Sequence, residues 1–158
     1  MRARLANHQS RDPVPVAWLT RLTNRAIRRL KIRQGGTLAV SFVDGVTMRR
    51  LNRRFTGHRH LTDVLSFRYD DARIAGEVIV APAAARRYAT PHGLDYTGEL
   101  ARYVVHGLLH WLGYDDRTLT QQHAMRKMED ALLATCGRER LTVNGVRDRS
   151  PYTVHRSR

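Results

Sequence analysis

Apolar residues recur at helical spacing through Val16, Leu19, Leu22, Ala26, Ile27 and Leu30, with arginines on the opposite side. This is the pattern of an amphipathic helix with one face turned to a core. Pro15 suits its first turn and Gly35-Gly36 stops it. Thr37 to Val43 then alternates with β-branched residues, as a strand does. Asp44-Gly45 has the composition of a turn, and Thr47 opens a short helix carrying Met48, Leu51 and Phe55. A basic loop, Thr-Gly-His-Arg-His-Leu at 56–61, leads to two further strands, Val64 to Tyr69 and Ile74 to Val80, which flank Asp70-Asp71 and are expected to pair as a hairpin.

Helical patterns fill the remainder. The first spans Ala81 to Tyr88. The second runs from about Thr97 to Leu112, with Leu100, Tyr103, Val104, Leu108 and Trp111 spread round much of its circumference, which marks a central, buried helix. The third, near Thr120 to Cys136, gathers Ala124, Met125, Met128, Leu132 and Leu133 on one face. Residues 1–12 are polar and basic and are expected to fray; 13–136 form one domain; 137–158 lose periodicity and are expected to be a mobile basic tail. Helices arranged around a few strands give an α+β domain with one small sheet.

Composition narrows the possibilities. The chain of 158 residues is long enough to bury a core without staples. Its one cysteine, Cys136, excludes an internal disulfide and a cysteine-rich zinc module, and falls where a core residue belongs. No apolar run approaches the roughly 20 residues of a membrane span. The segment Met1 to Arg11 lacks the apolar stretch of a secretory signal, so a cytoplasmic location is the expectation. The net charge of +14 favours a polyanionic partner, nucleic acid above all. A general preference for arginine is the plainer explanation of the same excess.

The chemistry concentrates in His106-Gly107-Leu108-Leu109-His110-Trp111-Leu112-Gly113-Tyr114-Asp115-Asp116. Two histidines four apart on a helix project from one face, close enough to share an ion. Gly113 can end the helix in the left-handed conformation, and the turn behind it would swing Asp116 back toward the imidazoles. Three ligands and an open fourth position describe a catalytic zinc site. The plainer reading is two core histidines, each satisfied by a backbone carbonyl. Tyr114 and Asp115 are expected to be turn residues, the alternatives for Asp115 being a competing ligand or a carboxylate orienting one imidazole, and Trp111 is a core residue. The spacing also occurs in zinc peptidases, which place a glutamate directly after the first histidine; this chain has Gly107 there.

The same stretch resembles the zinc signature H-G-x-L-H-x-x-G-Y-D-H of the YbeY family of bacterial ribosomal-RNA maturation endoribonucleases. Three further segments are similar to that family in the same order: Leu51-Asn52-Arg53-Arg54-Phe55 with Thr62-Asp63-Val64-Leu65-Ser66-Phe67, then Gly76-Glu77-Val78-Ile79, then Met125 with Glu129. The resemblance implies a roughly four-stranded mixed sheet flanked by helices, with one Zn2+ on the central helix. It further implies cleavage of single-stranded RNA in 16S rRNA 3′-end maturation and ribosome quality control. RNA of the small ribosomal subunit and ribosome-associated proteins are the partners it implies, with no membrane.

The chain departs from the pattern in three places. Asp116 stands where the family usually has a third histidine, Thr56 where it has a loop arginine, and Arg68 where a proline follows L-S-F. His106, His110 and Asp116 are therefore the expected metal ligands, with Arg59 or Arg68 expected to supply the missing charge near the phosphate. Two solvated surface arginines are the alternative. Asp63 and Ser66 are expected in ordinary turn and strand roles. An RNA-binding ribosome assembly factor without catalysis is the competing function, and a zinc peptidase a weaker one.

Overall fold

Backbone pairing brings four strands together in the order β1-β2-β4-β3: β1 Arg2–Asn7, β2 Thr37–Phe42, β3 Val64–Arg68 and β4 Ile74–Val80. The first two are parallel to each other, β2 is parallel to β4, and β3 runs antiparallel to β4 as the expected hairpin. Among the described residues five helices accompany the sheet: α1 Val16–Arg29, α2 Gly45–Thr56, α3 Pro82–Ala89, α4 Tyr96–Leu112 and α5 Leu119–Cys136. This computed structural model describes residues 1–136 and the backbone of two short paired strands, Arg140–Leu141 and Arg147–Asp148. The rest of the tail expected over 137–158 lies outside the described residues. The α+β class and the four-stranded mixed sheet agree with expectation.

The N-terminus does not follow the frayed segment expected over 1–12. Residues 2–7 form β1, in register with β2 from Arg2 opposite Thr37 to Asn7 opposite Phe42. Only Ala3 is buried, which is why local periodicity gives no strand. The order comes from nonlocal backbone pairing and from Asn24 of α1, whose side chain accepts from Ala3 N at 3.0 Å and donates to Ala3 O at 3.3 Å. Asp12 then pairs with Arg86 of α3. A second difference concerns Asp44-Gly45. Asp44 is the N-cap of α2, accepting from Thr47 N at 2.7 Å, so the helix begins at Gly45.

The sheet separates two apolar layers. Leu38, Val40, Phe42, Val64, Val78 and Val80 join α1, α4 and α5 in the main core, while Leu65 and Ile79 meet Met48 and Leu51 of α2 on the other side. The histidine helix α4 lies against β3 and β4 because two glycines permit it. A Cβ on Gly107 would come within 2.3 Å of Val78 Cγ1 and 2.7 Å of Val64 Cγ2. One on Gly76 would come within 2.1 Å of the Trp111 indole nitrogen. That nitrogen donates to Ala75 O at 3.1 Å, and Ser66 Oγ donates to Gly107 O at 2.9 Å, fixing the height of α4 over the sheet. Trp111 and Cys136 are core residues, as expected.

This close approach is testable. Gly107→Ala is expected to destabilise the domain by about 1–3 kcal/mol in urea unfolding, the usual cost of overpacking. A variant as stable as the natural chain would contradict the packing described.

Candidate metal centre

Helix α4 is capped at its start by Asp95, whose carboxylate accepts from Gly98 N at 2.6 Å, and is buried along Leu100, Val104, Leu108 and Leu109. His106 and His110 are left on its partly open side. Gly113, at φ +98°, ends it in the left-handed region, with Tyr114 N donating to Leu109 O at 3.0 Å. The turn reverses as the sequence suggests, and Asp116 comes back to the histidines. Gln122 of α5 donates to Asp116 O at 2.9 Å and ties the turn down.

Three atoms converge. His106 Nε2 and His110 Nε2 are 2.9 Å apart, and Asp116 Oδ2 lies 3.6 Å from the first and 3.7 Å from the second. Ligand atoms held at about 2.0–2.1 Å around a tetrahedral ion stand roughly 3.3–3.4 Å apart, so the triangle is of the right size for zinc. The imidazole tautomers make the same point. His106 Nδ1 faces Glu129 Oε1 at 2.8 Å and His110 Nδ1 faces the Tyr114 carbonyl at 3.0 Å. Both partners are acceptors, so each Nδ1 carries the hydrogen, and in neutral rings two unprotonated Nε2 atoms crowd each other at 2.9 Å. Such a pair needs a proton or a cation beside it, and the donor set of two imidazoles and a carboxylate fits a metal ion.

The family-like helix motif marks Glu129 without assigning it this role. It is buried, and its second oxygen accepts from Arg102 Nη1 at 2.9 Å; Arg102 also reaches Asp130 at 2.8 Å. The available signal was a carboxylate inside the apolar stripe Met125, Glu129, Leu132, Leu133, Cys136 of α5. Asp115 does not orient an imidazole: its carboxylate accepts from Asp116 N at 2.9 Å and pairs with Arg117 at 3.0 Å. Burial alone would raise Glu129, but the His106 and Arg102 hydrogen bonds outweigh it and hold the carboxyl below the ordinary glutamate value. Burial alone would lower His106; the bond to Glu129 and the carboxylates of Asp63, Glu129 and Asp116 reverse that, so its imidazole stands above the ordinary histidine value.

His106 opens onto a cavity of about 300 Å³ whose walls also include Asp63, Glu99, Arg102, Asp116 and Arg126. Burial pushes the Glu99 carboxyl up. Asp63 keeps a turn role, accepting from Val64 N at 2.9 Å and Thr62 Oγ1 at 3.1 Å, while also facing this space. Ser66 serves the helix contact given above. The structure does not bring Arg59 or Arg68 to the cavity wall. Arg59 lines a separate groove with Arg49, Arg50 and Arg53. Arg68 lies over the Trp111 ring at 5.3 Å and donates to Gln34 at 3.2 Å. Thr56, the last residue of α2, bonds back within its own helix, its Oγ1 donating to Asn52 Oδ1 at 2.7 Å. The cavity-lining cations are Arg102 and Arg126.

The fold is an α+β domain whose buried helix presents two histidines that, with one carboxylate, could hold a metal ion. The model of the family described as endoribonuclease YbeY matches residues 4–137. The chain belongs to that family of endoribonucleases. An endoribonuclease YbeY of Frankia alni is 32% identical over 145 residues, covering 83% of this chain and 80% of its own. One from Cutibacterium acnes is 30% identical over 138 residues, covering 80% and 89%. A solution structure of a Thermotoga maritima protein shares the fold, with a TM-score of 0.58 at 22% identity over 84% of this chain and 90% of that one.

Because protons compete for the imidazoles, zinc affinity is expected to fall as the pH drops through the raised His106 value, where the added positive charge repels the ion. Glu129→Gln is expected to weaken zinc binding roughly 10- to 100-fold at neutral pH. Competition with a chromophoric chelator measures both; a pH-independent affinity unchanged by Glu129→Gln would contradict the bracing.

Proposed function

We propose that this chain is a zinc-dependent, single-strand-specific endoribonuclease acting in the cytoplasm on ribosomal RNA. Its tasks are 16S rRNA 3′-end maturation and ribosome quality control, with the small ribosomal subunit and its associated proteins as partners. Family membership supports the reaction class. The convergence of His106 Nε2, His110 Nε2 and Asp116 Oδ2, a set that could hold one ion, supports the metal dependence. Among the described residues no helix is long and apolar enough to cross a membrane.

Zinc held there supplies Lewis acidity, which favours ionisation of water near neutral pH and withdraws electrons from a phosphoryl oxygen. The protein's own part is positional. Glu129 keeps the proton on His106 Nδ1 and the Tyr114 carbonyl keeps it on His110 Nδ1, so both Nε2 atoms stay ready to bind. Arg102 balances the buried Glu129 charge. Arg126, half-exposed at the cavity, is the cation suited to a phosphate. Asp116 lowers the net charge at the ion relative to a third histidine, making it a milder Lewis acid. Arg59, Arg68 and the arginines of α1 and α2 serve contacts to the RNA backbone.

The peptidase reading loses ground twice: Gly107 supplies no base, and its Cα faces Val78 and Val64 rather than the cavity. The assembly-factor reading is favoured by Asp116 and Thr56 in place of the family's usual residues. One experiment separates it. The purified full-length chain is expected to carry about one zinc and to cut single-stranded RNA, with cleavage stopped by a chelator and restored by zinc. His110→Ala is expected to retain RNA binding and to lose more activity than the roughly 10- to 100-fold typical of an outer partner. RNA binding without cleavage at saturating zinc would make the protein an assembly factor. Arg126→Ala is expected to slow cleavage more than Arg59→Ala or Arg68→Ala; the reverse order would move the phosphate toward α2 and β3.

A further inference from the structure

A second cavity, of about 560 Å³, adjoins the metal cavity and shares Asp63, Tyr88 and Tyr103 with it. Its volume falls within the roughly 300–1,000 Å³ of small-ligand sites. The walls differ in kind from those around the histidines. Leu61, Ala84 and the rings of Tyr88 and Tyr103 form apolar surface, and His60 and Arg87 add cationic or hydrogen-bonding groups. Tyr88 is the element that calls for explanation. Helix α3 buries Pro82, Ala85 and Ala89 but leaves this large ring 40% exposed. The ring is stacked on His92, with centroids 4.3 Å apart and planes 23° from parallel. His92 is itself anchored, its Nδ1 lying 2.7 Å from Tyr88 O. The result is a fixed two-ring platform on the wall of a groove that continues to the metal ligands.

A flat aromatic group joined to an anionic backbone is the ligand that such surroundings recognise. We propose that this second cavity is a nucleobase subsite, in which one unpaired base of the RNA strand stacks on the Tyr88–His92 platform beside the scissile phosphate. Arg87 faces the adjoining backbone. This rests on the endoribonuclease reading and deepens it, because a base can enter only when it is out of a duplex. The subsite thereby gives a structural source for single-strand specificity.

The test crosses Tyr88→Ala with single abasic substitutions along a short single-stranded RNA. Binding to the full-length protein is read by fluorescence anisotropy in chelator, so that no strand is cut. Loss of one base at one position is expected to weaken binding to the natural chain roughly 5- to 100-fold, the range of base–aromatic stacking. Tyr88→Ala is expected to weaken the intact RNA similarly and to become indifferent to that abasic position, while Tyr88→Phe behaves as the natural chain. Because α3 is anchored by its small buried residues, thermal unfolding of Tyr88→Ala is expected to match the natural chain, which separates lost stacking from lost fold. Indifference of the natural chain to every abasic position would overturn the subsite, as would unaltered discrimination by Tyr88→Ala. Failure of the nuclease reading shows separately, as absence of cleavage by the zinc-loaded chain, and does not affect the binding cycle.

Discussion

The buried carboxylate of Glu129 constrains the site more than any other group. A carboxylate removed from water must be paired, and this one divides its two oxygens between Arg102 and His106, both on α4. That arrangement fixes where α5 sits against α4. It also fixes which nitrogen of His106 carries the hydrogen and therefore which one faces the cavity. Breaking such a pair from one side costs about 3–5 kcal/mol, because the remaining charge stays buried. His110 and Asp116 depend on simpler devices: a glycine in the left-handed region after α4, a backbone carbonyl for His110, and a glutamine tying down the turn of Asp116.

Charge is sorted between the cavity and the surface. The chain carries an excess of +14, yet the cavity gathers Asp63, Glu99, Asp116 and Glu129 around His106, with Arg102 and Arg126 partly offsetting them. A cation is favoured inside by nearby carboxylates, while the arginines of α1 and α2 spread outward where a polyanion can reach them. The glycines on α4 and β4 serve both functions indirectly. By letting the histidine helix settle against β3 and β4, they hold the ligands at a defined height above a packed core.

Local patterns carried much of this in the sequence. The i, i+4 histidines, the Gly113 stop and the β3–β4 hairpin are short-range features with distinct signatures, and they appear where expected. What was not legible depended on distant partners. Strand β1 exists because β2 and Asn24 receive it, not because its own residues alternate clearly. The brace on His106 comes from a residue 23 positions away, whereas Asp115, next to the ligand, is used up by its own turn and Arg117. Motif position points to Arg59 and Arg68. Their side chains instead follow local opportunities, a groove among other arginines and the face of Trp111.

The proposed function requires His106, His110 and Asp116 to bind one ion together. X-ray absorption at the zinc edge of the purified, zinc-loaded chain tests it most directly. Two imidazole nitrogens and a protein carboxylate oxygen are expected in a four-coordinate shell, and Asp116→Ala is expected to remove the carboxylate signal while both imidazoles remain. A shell containing a third imidazole, or one unchanged by Asp116→Ala, would contradict it.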